Sequence, residues 1–257
     1  MALLDLSPIE FMQGLFSSVI VFISLLTGLL IALRYFQTKK WTFLTIGFAY
    51  SGNFAGWIPD SINFFLTIFN QPQLPIAIYL MIAVGLYPPV LLLWLIGMTE
   101  LLHIKKRKAY LIAFLIFLII LEILFFTFLI IDTSGLLGGY ISIFIVDYTV
   151  FSIFILFFSL IVIIITGFKF SYSAFEASDP EIKLKGKLLL FAFISVSIGV
   201  VLDLILTALS QNVGTILYFV LPGLIVITRL IIALSSIAFY CGFILPKWIK
   251  VFFLKEH

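Results

Sequence analysis

Basic residues fall at only one set of alternating breaks in a chain otherwise made of long apolar runs. The runs cover about 9–36, 41–69, 73–103, 108–131, 139–169, 183–210 and 214–246, each long enough to cross the ~30 Å hydrocarbon layer of a bilayer. Arg34, Lys39 and Lys40 cluster at the first break, Lys105, Lys106, Arg107 and Lys108 at the third, and Lys169, Lys183, Lys185 and Lys187 at the fifth. Lys247, Lys250 and Lys255 follow the last run, whereas the N-terminal stretch and the second, fourth and sixth breaks carry no lysine or arginine. Basic loops stay on the cytoplasmic side, so this pattern predicts an all-α polytopic membrane protein. It is read as a seven-transmembrane-helix bundle with the N-terminus outside and the C-terminus cytoplasmic, a multi-pass protein of the cell membrane. The membrane domain is expected over 1–246 and a short interfacial cytoplasmic tail over 247–257. Composition agrees: 63% hydrophobic and 11% charged residues are more apolar side chain than a soluble core absorbs. β-Strands are a poor reading, because the runs lack period-two alternation and exceed a barrel strand's roughly 10 residues.

The N-terminal stretch, with Asp5 and Glu10, lacks the basic region of a cleavable signal. Ser7-Pro8-Ile9-Glu10 reads instead as a capping box opening the first helix. Asp179-Pro180-Glu181 has the same look ahead of the sixth. Pro88 and Pro89 in the third run and Pro222 in the seventh remove backbone donors, and are expected to bend those helices or act as hinges. The tail from Lys247 to Lys255 alternates lysines with bulky apolar residues and suits the inner interface. No internal repeat is visible, which argues against an inverted-repeat transporter.

Arg229 is the one basic residue that no membrane edge can accommodate. A cation near the bilayer centre costs roughly 2.5 kcal/mol or more, so it calls for a partner and marks a functional site. Four acids share the apolar runs with it: Asp60, Glu122, Asp147 and Asp203. Counted from the outer helix ends, they form a layer about 9–14 Å deep at 1.5 Å per residue, with Arg229 below. Depth favours Glu122 or Asp60 as its partner, with Asp203 also in range. Small and polar residues recur at three- and four-residue steps in three helices. They are Asn53, Gly56, Asp60, Asn63 and Thr67; Ala192, Ser195, Gly199, Asp203 and Thr207; and Pro222, Val226, Arg229, Ala233, Ser236 and Tyr240. Such stripes face other helices. Together they outline a polar pocket in the outer half, with Arg229, Asp203, Asp60, Glu122, Asp147, Asn53 and Asn63 as ligand-binding or ion-pair candidates. The fourth helix, apolar apart from Glu122, is expected to face lipid. Glu100, beside the third basic cluster, reads as an interfacial pair with a lysine.

Several activities are disfavoured. The seventh run has no lysine for a retinal Schiff base. His103 and His257 sit at inner edges, away from any intramembrane metal site, and no cofactor is expected. Cys241 has no histidine partner, so no catalytic set emerges and the chain does not read as an enzyme. Nucleic-acid binding would need a soluble basic surface that the chain does not offer.

The stretch Phe239-Tyr240-Cys241-Gly242-Phe243-Ile244-Leu245-Pro246-Lys247-Trp248 resembles the close of seven-helix sensor regions that precede prokaryotic histidine kinases, and related stand-alone archaeal membrane proteins. Those end in a Gly-Phe-x-x-Pro-x-Trp pattern. The resemblance implies a sensor, and, because the sequence stops where an output domain would start, one that works through a separate cytoplasmic or membrane partner. The leading expectation is a receptor or sensor-like module taking a small ligand or proton from the outer side. A transporter or proton/ion pathway through the same acids is the alternative, and a structural membrane subunit the third.

Overall fold

Ser7 accepts a hydrogen bond from the Glu10 backbone N–H (3.3 Å) while the Glu10 carboxylate accepts from the Ser7 N–H (3.0 Å). That reciprocal cap starts α1 (Pro8–Thr38), the first helix of the computed structural model. The structure describes the backbone of residues 6–210 and 215–254, and their side chains except 207, 208, 210 and 215–219. Asp5, residues 211–213 of the sixth break (Ser210 to Val213), Gly214 at the start of the seventh run, and the Thr207, Lys255 and His257 side chains lie outside the described residues.

Among the described residues six helices are long and apolar enough to cross a membrane. They are α1, the third run Ile76–Leu101, α6 (Arg107–Ile131), α8 (Val150–Phe175), α9 (Pro180–Ser210) over Pro180–Leu206, and α10 (Thr215–Ile244) over Val220–Ile244. The second run, expected as one helix over 41–69, is instead split into α2 (Trp41–Gly52) and α3 (Ile58–Ile68) around a 3-10 turn at Ala55–Trp57. Pro59 lies in the first turn of α3, where its missing N–H and its ring stop α2 from running through. The Asn53 carbonyl freed by the break accepts from the Tyr87 hydroxyl at 3.1 Å. Both halves pack along α1. Gly28 and Gly47 make that contact possible: a Cβ on Gly28 would lie 2.4 Å from the Gly47 carbonyl oxygen.

In the third run, α4 (Ile76–Leu80) passes through a π-helical turn at Met81–Gly85 into α5 (Tyr87–Leu101). Pro88 and Pro89 occupy the first turn of α5, and the wide turn before them takes up the carbonyls they cannot serve. Pro222, by contrast, lies inside α10, which continues on both sides of it.

The fifth run was expected to be helical from about 139. The helix starts only at Val150, and residues before it form α7 (Thr133–Leu136), capped by Asp132, and a β-hairpin, β1 (Gly138–Ser142) and β2 (Ile145–Tyr148). The all-helix reading is corrected here. Gly138 takes φ +148°, and a Cβ there would meet the Asp147 carbonyl oxygen at 2.6 Å, so glycine suits the point where the chain enters β1, while the hairpin itself turns at Ile143-Phe144. The hairpin is stapled to the bundle: Asn63 donates to the Ile143 carbonyl (3.0 Å) and accepts from the Leu74 N–H (2.8 Å), and Tyr140 donates to the Leu74 carbonyl (2.9 Å).

The remaining contacts set the bundle's shape. A Cβ on Gly199 would lie 2.5 Å from Ile232, and one on Gly242 2.7 Å from Leu189. These two close approaches fix the antiparallel register of α9 against α10. Asp179 caps α9 through the Glu181 N–H (2.8 Å). α6 is the least buried of the six long helices, burying only Leu118, Leu121 and Phe125, as its sequence suggests. After Leu245 and Pro246, α11 (Lys247–Leu254) buries Ile249, exposes Trp248, Val251, Phe252 and Phe253, and pairs Lys250 with Glu181 at 2.6 Å. Glu100 accepts from Thr42 (2.6 Å) and pairs with Arg107 (3.1 Å) rather than with a lysine.

Candidate functional site

The register that Gly199 and Gly242 set on α9 and α10 brings Asp203 opposite Arg229. The Arg229 Nε donates to Asp203 Oδ1 at 2.7 Å, and the pair is buried, the side chains 4% and 12% exposed. Arg229 Nη1 donates to Ser17 Oγ (2.5 Å), and Ser17 Oγ donates to Asp60 Oδ2 (3.4 Å). Asp60 also accepts from the Tyr79 hydroxyl at 2.7 Å, and Asp203 Oδ2 from the Trp57 indole N–H at 3.2 Å. The guanidinium lies 5.7 Å from the centroid of the Trp57 ring, within cation–π range. One network thus joins α1, the 3-10 turn, α3, α4, α9 and α10. Charge-assisted hydrogen bonds of this length are the strong kind.

The network borders a cavity of 370 Å³. That lies at the small end of the roughly 300–1,000 Å³ range of ligand pockets. Asn53, Phe54, Gly56, Trp57 and Asp60, from the break in the second run, line one side, so the unwound backbone faces a cavity and not lipid. The floor is aromatic: Tyr50 stacks on Phe239 at 4.2 Å, and Trp94 and Phe193 meet Phe239 at 6.3 and 5.8 Å between centroids. Phe144 and Val146 of the hairpin, both buried, form the roof. Tyr148 also faces the cavity, beside Tyr79. Burial above all, and then the Asp60 charge, raise the Tyr148 hydroxyl well above the usual phenol range. Burial also raises Tyr140, so both hairpin tyrosines keep their protons at neutral pH.

The sequence candidates separate into those the site gathers and those it does not. Arg229, Asp203, Asp60 and Asn53 all line the cavity. Asp203 is the direct partner of Arg229, Asp60 is reached through Ser17, and Glu122, which depth favoured alongside Asp60, is elsewhere, on α6 with Oε2 buried and unpartnered among the described residues. Depth along a single helix carries no information on which neighbour faces it. Asp147 is an exposed residue of β2 at the rim and not part of a helix, which begins three residues after it. Asn63 holds the hairpin instead of facing a ligand. Gln13, Ser17, Trp57 and Tyr79 are site residues that the reading of single helices missed. The polar steps Gln13, Ser17 and Ser24 in α1 were the available signal for two of them. Gln13 Oε1 and Asn53 Oδ1 are buried with no hydrogen-bond partner among the described residues.

Comparison with protein-family models, with curated proteins and with solved structures finds no match for this chain. Its class rests on its own helices: it is an integral membrane protein whose apolar faces contact lipid.

Proposed function

We propose that this chain is a receptor or sensor-like protein. Its ligand occupies the cavity around Arg229 and Asp203 in the outer half of the bundle, and its inner loops and α11 pass the change to a separate partner. The split second run crosses the bilayer as a seventh, broken span, and the basic ends of the helices face the cytoplasm by the positive-inside rule. The observation that carries this reading is a cavity walled by broken backbone and a buried ion pair, in which the side-chain amide oxygens of Gln13 and Asn53 find no partner among the described residues. Buried polar groups are normally satisfied, so orphans lining a cavity point to a ligand that completes them. The aromatic floor favours sensing over transport, since Tyr50, Trp94, Phe193 and Phe239 stand between the charges and the basic end of the bundle. Ligand contacts on Arg229 or Asp203 would shift α9 against α10, and α10 leads directly to Pro246 and α11. The close of α10, which resembles the end of kinase-linked sensor regions, supports the same direction of signalling.

The test is thermal stability of the protein in lipid nanodiscs across a panel of small amines, anions and lipids, beside Arg229→Gln. A shift in the parent that the variant loses is the expected result. A parent that responds to none of the panel, or a variant that responds equally, overturns the reading. Solute flux in protein-only liposomes would replace sensing with transport.

A further inference from the structure

The cavity's roof, floor and flank differ in a way that defines how it is reached and by what. The roof is held shut by Asn63 and Tyr140, which tie the hairpin to the bundle, and by Phe144 packed against Gly14, where a Cβ would come within 2.9 Å of its ring. The floor is the aromatic layer around Phe239. The flank between α8 and α9 is open. These helices lock together toward their basic ends, where a Cβ on Gly167 would lie 2.3 Å from the Phe193 ring and one on Gly186 2.3 Å from the Phe175 backbone. Toward the hairpin end Ile153, Phe157 and Leu204 line the cavity and are also 42%, 44% and 41% exposed. Side chains that border the interior and the lipid-facing surface together frame an opening, and here all three are apolar. In a membrane that opening faces hydrocarbon.

The chemistry inside is sorted by end. Arg229, Asp203, Asp60 and the unpaired side-chain amide oxygens Gln13 Oε1 and Asn53 Oδ1 lie at one end, among the rings of Trp57, Tyr79 and Tyr87. Asp147 stands exposed at the rim. Three carboxylates against one guanidinium, with aromatic faces around them and no lysine, favour a cation that donates hydrogen bonds. The other end is hydrocarbon, running from Ile153 to Ile164 along α8, about 16 Å at 1.5 Å per residue.

We propose, on the reading that this cavity is a ligand site, that its ligand is a single-chain cationic amphiphile of the bilayer. The ligand slides between α8 and α9 with its ammonium head toward Asp60, Gln13 and Asn53 and its chain along Ile153–Ile164. Because the chain moves from lipid into an apolar track, tail length adds little, and the head decides selectivity.

The experiment uses the full chain in nanodiscs with Trp41→Phe and Trp248→Phe, both exposed residues, leaving Trp57 and Trp94 in the cavity wall as reporters. Doxyl-labelled dodecylamine should quench them saturably, and unlabelled dodecylamine should compete about tenfold better than dodecanol or dodecanoate, a difference of roughly 1.4 kcal/mol. Gln13→Leu should weaken that competition. Leu160→Phe with Val200→Phe, which fill the flank, should slow quenching with thermal stability unchanged. Unsaturable quenching, equal competition by dodecanoate, or unaltered kinetics in the filled variant overturns the proposal. If a water-soluble butylamine or a small anion stabilises the protein while dodecylamine neither quenches nor stabilises it, the amphiphile is refuted and the ligand-site reading stands. If no probe acts on the parent, both fall.

Discussion

Replacing Arg229 with Gln removes a guanidinium that makes three contacts at once: 2.7 Å to Asp203, a hydrogen bond to Ser17, and the face of Trp57. Asp203 then keeps its bond from Trp57 but loses the opposite charge beside it. Breaking one side of a buried ion pair costs roughly 3–5 kcal/mol, mostly because the remaining charge is left in a low-dielectric site. Asp203→Asn should cost a similar amount, for it strands the arginine. The double variant leaves neither charge, so its loss should fall short of the sum of the singles by about 1–3 kcal/mol, the usual coupling of contacting residues. Arg229→Lys should rescue only part of the loss, because a single ammonium cannot repeat the fork that reaches Asp203 and Ser17 together. Reversible unfolding in mixed micelles, followed by far-ultraviolet circular dichroism, measures all four variants on one scale. Additive singles, or a loss below about 1 kcal/mol for Arg229→Gln, would show that the 2.7 Å contact does not hold α9 to α10 and would refute the argument.

The other expectations concern the scaffold around that pair. Gly47→Leu puts a side chain where even a Cβ meets Gly28 oxygen at 2.5 Å, so α1 and α2 must separate; a loss well above the roughly 1–3 kcal/mol of ordinary overpacking is expected in the same assay, and tolerance would contradict the close crossing. Asn63→Ala strands the Ile143 carbonyl and the Leu74 N–H, at about 1–3 kcal/mol for buried groups left unpaired, and amide exchange over residues 138–148 should quicken while that of α10 does not. Tyr148 ionises near 10.0 when unfolded and at higher pH when docked, so its contribution is complete below pH 10 and declines as pH rises past it. Hairpin exchange, corrected for its intrinsic pH dependence, should therefore accelerate above pH 10, and Tyr148→Phe should flatten that rise.

The periodic and composition-driven features were legible in the sequence. Ser7 and Glu10 cap α1, Asp179 caps α9, and the long apolar runs of α1, α6, α8, α9 and α10 appear where hydropathy puts them. What failed were the places where local chemistry competes with length. In the second run the apolar total suggested one helix, but Gly52, Asn53, Gly56 and Pro59 fall close enough together to stop it. In the fifth run the same apolar total concealed a hairpin that Gly138 opens and Ile143-Phe144 turn. Arg229 and the acids Asp60 and Asp203 stood out as charges out of place, whereas their pairing depended on a glycine-set register that no single helix reveals. Ser17, the link between Arg229 and Asp60, is a small hydroxyl in an apolar helix, and only the third dimension gives it significance.

The break between α2 and α3 also bears on what the second run asks of its neighbours. Twelve and eleven helical residues reach about 18 and 17 Å, well short of a ~30 Å hydrocarbon slab. α1, at 31 residues, has that length to spare and is joined to α2 through only Lys39 and Lys40. Both halves pack along α1, and the Tyr87 hydroxyl binds the Asn53 backbone carbonyl that the break leaves free. The first helix is in this sense a splint laid across a fracture, and Tyr87 the pin that closes it.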